Sequence, residues 1–146
     1  MDTADIVLRN ATYQQFVALG RVPTAGEIAG ALGQSELDVH AGWARLHDGH
    51  ALVLDATGEI RMLNPFAVQP TPFRVEAAGR FWYANCGWDA FGIGSAMHVD
   101  STIHTECADC HEPLAISVSN GVPDNTDLVF HVLVPAISWW QDIGYT

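Results

Sequence analysis

The sequence predicts an α+β protein, a winged-helix-like helical subdomain followed by a β-rich core that carries one functional helix. Three observations lead there. Helical periodicity with capping residues is confined to the first third of the 146 residues. Alternating, strand-like runs dominate the remainder. Between them Pro65, Pro70 and Pro72 cluster in a stretch that blocks regular helix and marks a connector. The expected organisation is a subdomain over 1–64, a connector over 65–72 and a core over 73–146.

In chain order, Ile6, Val7, Ala11, Phe16, Val17 and Leu19 suit an amphipathic helix over 5–19 that stops at Gly20. After a turn at Val22-Pro23, Thr24 caps a second helix, with Glu27 completing a capping box and Ile28, Ala29 and Leu32 facing inward. Ser35 caps the third, with Asp38 in the box position and Leu37, Val39, Trp43 and Leu46 as its apolar face. Residues 51–55 and 59–63, joined at Thr57-Gly58, read as a hairpin. In the core, 73–76 and 80–84 form a second hairpin, a helix spans about 86–96, and 97–104, 113–118 and 128–134 read as strands.

Composition limits what this frame can do. Six basic against seventeen acidic side chains give a formal charge of −11, which repels nucleic acid and anionic membrane. The third helix carries Glu36, Asp38 and Asp48 against Arg45, an unfavourable balance for reading a DNA groove. No apolar run reaches the roughly 20 residues of a membrane span, and the N-terminus lacks the basic start of a signal peptide, so the expected address is the cytoplasm. Three cysteines fit reduced thiols better than a disulfide framework.

Chemistry concentrates in Phe81-Trp82-Tyr83-Ala84-Asn85-Cys86-Gly87-Trp88-Asp89-Ala90-Phe91. If Cys86 opens a helix, Asp89 falls one turn later on the same face, pairing a soft nucleophile with a proton carrier. The helix N-terminus is expected to favour thiolate. Trp82, Tyr83, Trp88 and Phe91 are the candidate pocket wall, whose burial of Asp89 would raise its pKa toward proton donation. Cys107-Ala108-Asp109-Cys110, flanked by His104 and His111, is a candidate metal half-site. A zinc centre usually needs a second pair of ligands, so a local turn with two free thiols is the simpler expectation there.

The stretch from Phe73 to Thr146 resembles the alkylmercury lyase (organomercurial lyase) family, most closely in Arg80-Phe81-Trp82-Tyr83-Ala84-Asn85-Cys86-Gly87-Trp88-Asp89-Ala90. Further similarity lies in Cys107 with Pro113-Leu114 and in Val132-Leu133-Val134-Pro135 followed by Trp139-Trp140. The resemblance implies protonolysis of a carbon–mercury bond to a hydrocarbon and Hg(II), with no organic cofactor and with low-molecular-weight thiols as partners. Cys86 matches the family's mercury-capturing cysteine and Asp89 its proton relay; Cys107 matches a cysteine that looks structural. A second catalytic cysteine is expected just past Trp139-Trp140 and the residues after it, where the sequence stops, so a truncated or divergent homologue is the expectation. Two other readings stay open: a non-catalytic binder of mercury or another thiophilic metal through Cys86, with or without Cys107 and Cys110, and a winged-helix metal-sensing regulator, which the acidic third helix disfavours.

Overall fold

The structure is a computed structural model that describes residues 1–125 and 127–144. The chain divides into two compact units, Met1–Asn64 and Pro65–Thr146. Among the described residues there are four α-helices and eight strands, antiparallel in every described pairing, which makes the protein α+β.

The first unit is built by local signals. Helix α1 (Thr3–Leu19) starts where the Asp2 carboxylate accepts the Asp5 amide and ends at Gly20 in the left-handed conformation. Helices α2 (Ala25–Leu32) and α3 (Glu36–Asp48) each open with a complete capping box, Thr24 with Glu27 and Ser35 with Asp38. The core joins Leu8 and Phe16 of α1 to Ile28 and Ala29 of α2 and to Val39, Trp43 and Leu46 of α3. A polar thread runs through it: the Trp43 indole donates to Thr12 Oγ1 at 3.0 Å, and that hydroxyl donates to the Leu8 carbonyl at 2.9 Å. Strands β1 (Val53–Leu54) and β2 (Ile60–Leu63) close the unit as an antiparallel hairpin whose turn is organised by the Asp55 carboxylate.

Two expected faces differ. In α1 the buried stripe is Asp5, Leu8, Thr12 and Phe16, while Ile6, Val7 and Leu19 are exposed. The four buried positions keep a 3–4 residue spacing, and Asp5 is tolerated among them because Arg45 reaches its carboxylate at 2.8 Å. In α3, Leu37 is 81% exposed, since Val39, Gly42, Trp43 and Leu46 already complete one stripe and Leu37 lies off it.

The second unit contributes strands β3 (Phe66–Ala67), β4 (Arg74–Ala77), β5 (Arg80–Ala84), β6 (Ser101–Glu106), β7 (Pro113–Ser119) and β8 (Val122–Pro123). Their neighbour order is β3-β5-β4-β6-β7-β8. Ala78 and Gly79, both with positive φ, make the two-residue β4–β5 turn. Trp82, Val75, Ile103 and Ile116 stand in register across four strands and are all buried. Helix α4 (Gly87–Met97) packs on β4, β5 and β6 through its buried Ala90, Ile93 and Gly94.

The proline-rich connector is partly structured: Phe66–Ala67 pairs with Tyr83 and Ala84, because Phe66 has an apolar side chain to bury and stands edge-on to Trp82 at 5.4 Å. The expected strand over 128–134 is absent among the described residues. Its alternation is strand-like, but β8 pairs with β7, and Val129 is 90% exposed with no ladder to join. A 3-10 helix, Ala136–Gln141, follows it.

Candidate active site

Strand β5 and helix α4 meet at Asn85-Cys86, and the chain reaches that junction under several restraints. Ala84 donates its amide to Phe73 and accepts the Thr71 hydroxyl at 2.7 Å, so the end of β5 is held on two sides. Asn85 donates its amide to the Pro65 carbonyl at 3.4 Å. Cys86, with φ −151° and ψ 178°, is then the N-cap of α4, and its carbonyl accepts the Ala90 amide at 3.0 Å. Gly87 lies so close to Phe130 and Phe73 that a Cβ there would stand 2.5 Å from the Phe130 ring, which explains a glycine directly after the thiol.

Asp89 occupies the third position of α4, one turn from Cys86, and the two side chains interact. Burial pushes the Cys86 thiol above its ordinary value; the Asp89 amide pulls it down, and the Asp89 carboxylate pushes it up again. The helix N-terminus therefore acts as expected but loses to desolvation, and the thiol is held protonated more firmly than a free cysteine. Burial also raises Asp89, against hydrogen bonds from Asn85 at 3.2 Å and from the Cys86 thiol. The pair is thus a protonated soft nucleophile touching a carboxyl group of raised basicity.

The aromatic residues predicted to wall this pair lie on different faces of β5 and α4. Trp82 is 4% exposed in the helix-facing core and donates its indole to the Ala77 carbonyl. Tyr83, the next residue along the strand, takes the opposite face, that of Arg74 and His104. Trp88, 65% exposed, and Phe91 lie on the outer side of α4, where Trp88 meets Phe130 at 6.4 Å between ring centroids. Residues that sequence reasoning missed around the site are Asn85, Thr71, Phe73 and Phe130. Asn85 had a readable signal, its four-residue spacing to Asp89 across the helix start; the other three come from distant sequence.

Cys107 and Cys110 lie in the loop from β6 to β7. Cys107 donates its amide to the Glu112 carbonyl at 2.9 Å and accepts the His111 amide at 3.0 Å. The Cys110 and Asp109 amides and the Cys110 thiol lower the Cys107 pKa. His111 Nδ1 is 3.2 Å from Glu106, and His104 lies on β6 facing Glu76 at 3.9 Å, so neither is joined to the two thiols. Among the described residues, no group of three or more His, Cys, Asp and Glu side chains is arranged to hold a metal ion.

Residues 66–146 match the alkylmercury lyase family, and they make up more than half of the sequence. The chain belongs to that family. The match begins at β3 and takes in the whole Cys86–Asp89 junction and the cysteine hairpin. A solved structure described as the mercury-bound form of MerB2 is similar with a TM-score of 0.67 at 22% identity, over 86% of this chain and 60% of that one. That likeness extends the shared fold beyond the residues of the alkylmercury lyase match, and this chain spans about three fifths of the longer protein. No curated protein matches the chain. No helix among the described residues is long and apolar enough to cross a membrane.

Proposed function

We propose that this member of the alkylmercury lyase family cleaves carbon–mercury bonds by protonolysis, with Cys86 as the mercury-capturing thiol and Asp89 as the proton relay. The observation that carries the reading is the contact between the two at the start of α4, where partial burial raises the hold of both groups on a proton and the Asp89 carboxylate adds to that of Cys86. Mercury is soft and favours thiolate sulfur. As the Cys86 sulfur bonds to the mercury of an organomercurial thiolate, its proton passes to the Asp89 carboxylate and the small thiolate leaves. The Asp89 carboxyl then protonates the carbon; the electron pair of the carbon–mercury bond becomes the new carbon–hydrogen bond, and Hg(II) stays on Cys86 with a returning thiolate. A carboxylate held in a partly desolvated place suits both halves of that relay. The reaction needs no organic cofactor.

The first unit is read as the winged-helix-like subdomain of the protein, on its three capped helices and β1–β2 hairpin, and 65–72 as the connector. The charge of −11 supports a small neutral or cationic substrate rather than nucleic acid, the family resemblance supports low-molecular-weight thiols as partners, and the reduced cysteines support a cytoplasmic setting.

Incubation of the reduced protein with phenylmercury and excess thiol should release benzene above the thiol-only background, and Cys86→Ser and Asp89→Asn should each return it to background. Benzene release that survives both substitutions would sink the reading. One observation favours a second reading, stoichiometric capture without lysis: among the described residues Asp89 has one thiol beside it. Mercury bound one to one through Cys86 with no benzene would establish that instead.

A further inference from the structure

The turn at the tip of the β6–β7 hairpin has no part in the chemistry above, yet it concentrates thiols and negative charge. Its closure is firm: Cys107 exchanges backbone hydrogen bonds with Glu112 and His111, and His111 takes a positive φ of 59° to allow it. Within that turn two backbone amides and the Cys110 thiol converge on the Cys107 sulfur. Cys107 is partly accessible and Cys110 exposed, with Glu106, Asp109 and Glu112 exposed around them.

We propose that the Cys107–Cys110 turn is a second metal site, separate from Cys86, that holds one two-coordinate soft cation, Hg(II), as a dithiolate. Two thiols on one closed turn, with no third ligand gathered beside them among the described residues, suit a metal satisfied by two sulfurs and not the four-ligand shell of structural zinc. As two sulfur–mercury bonds form, both thiol protons leave to solvent and mercury gives up the two anionic ligands it arrived with, so nothing is oxidised or reduced. The acidic rim favours a cation and disfavours anionic competitors.

Sheet register places this turn at the same end of the sheet as Cys86. Arg74 on β4 is flanked by Tyr83 on β5 and His104 on β6, so those two residues are level. Three residues further along each strand direction come Cys86 and Cys107. Both thiols therefore leave the same end of the sheet, from strands about 10 Å apart, two strand spacings. That the occupant is mercury, rather than another soft cation, rests on the reading of Cys86 given above; the binding itself does not.

The test uses the full chain with Cys86→Ser, reduced, loaded with one equivalent of mercuric chloride and then washed with excess monothiol. About one Hg(II) per chain should remain, because two tethered thiols outcompete separate ones by effective concentration. X-ray absorption should show two sulfur neighbours. Adding Cys110→Ser or Cys107→Ser should cut retention by about tenfold or more, with circular dichroism unchanged. Retention that is absent in Cys86→Ser, or unaltered by the added serine, overturns the site. Failure of the lysis reading shows elsewhere, as no benzene from a chain in which only Cys107 and Cys110 are serine.

Discussion

The third residue of a helix is acidic in both units, and the two acids have opposite fates. Glu27 in α2 sits in a complete capping box, partly exposed, bonded to Arg21 and to the Thr24 amide, and its pKa falls to about 2. Asp89 in α4 holds the same station, but the residue ahead of it is a cysteine that makes no capping hydrogen bond, and burial drives its pKa up. All three helices of the first unit have an oxygen at the N-cap; α4 has sulfur. The first unit uses helix starts to stabilise helices, and the second gives its helix start to a thiol and a partly buried carboxyl group.

The seating of α4 and of α2 separates those two helices most strongly. Gly94 faces β6 so closely that an added Cβ would lie 2.5 Å from Ser101 Oγ and 2.9 Å from its Cβ, whereas Gly30 in α2 has nothing within 4 Å. Gly94→Ala should therefore destabilise by about 1–3 kcal/mol through overpacking. Gly30→Ala should stabilise by about 0.5–1 kcal/mol through helix propensity. Chemical denaturation of the two variants checks this, and equal signs would mean that α4 is no more tightly seated than α2.

The caps give the next effect. Thr24→Ala removes a working cap and should cost about 1 kcal/mol. Cys86→Ser places a good capping oxygen where sulfur caps poorly, and should gain about 0.5–1 kcal/mol while the mercury capture proposed for that position should be lost. A Cys86→Ser protein less stable than its parent in thermal unfolding would show that the sulfur contributes more to the fold than a cap.

What could be read from the sequence follows the same division. The capping boxes at Thr24 and Ser35 were legible because each is decided within four residues, and so was the one-turn spacing of Cys86 and Asp89. The segment 128–134 misled, since alternation records a local preference while a strand needs an edge to pair with. Phe66–Ala67 was hidden for the converse reason: two residues among prolines carry no period, and their partner Tyr83-Ala84 lies far along the chain. The direction of the Cys86 shift was also illegible. A helix N-terminus is a sequence-level feature, but the burial that outweighs it is made by chain packed around the junction, Phe73 and Phe130 among it, that no local pattern announces.

The subtlest difference is the titration of the two acids, which can be followed by carbon NMR of the side-chain carboxyls. Glu27 should titrate near 2, below its ordinary 4.5, and Asp89 above its ordinary 3.8. The consequences for stability run in opposite directions. The folded chain binds the Glu27 proton less tightly than the unfolded chain, so the Glu27 contribution is complete above pH 4.5 and is lost as pH falls toward about 2. It binds the Asp89 proton more tightly, so that contribution is present below pH 3.8 and is lost as pH rises through the raised value. Asn85→Ala removes a hydrogen bond that favours the carboxylate and should move Asp89 further up while leaving Glu27 in place. An Asp89 that titrates below 3.8 would mean that the helix start governs both acids alike. The proposed relay would then lose its physical basis, because a carboxyl that acidic would keep little hold on a proton taken from sulfur.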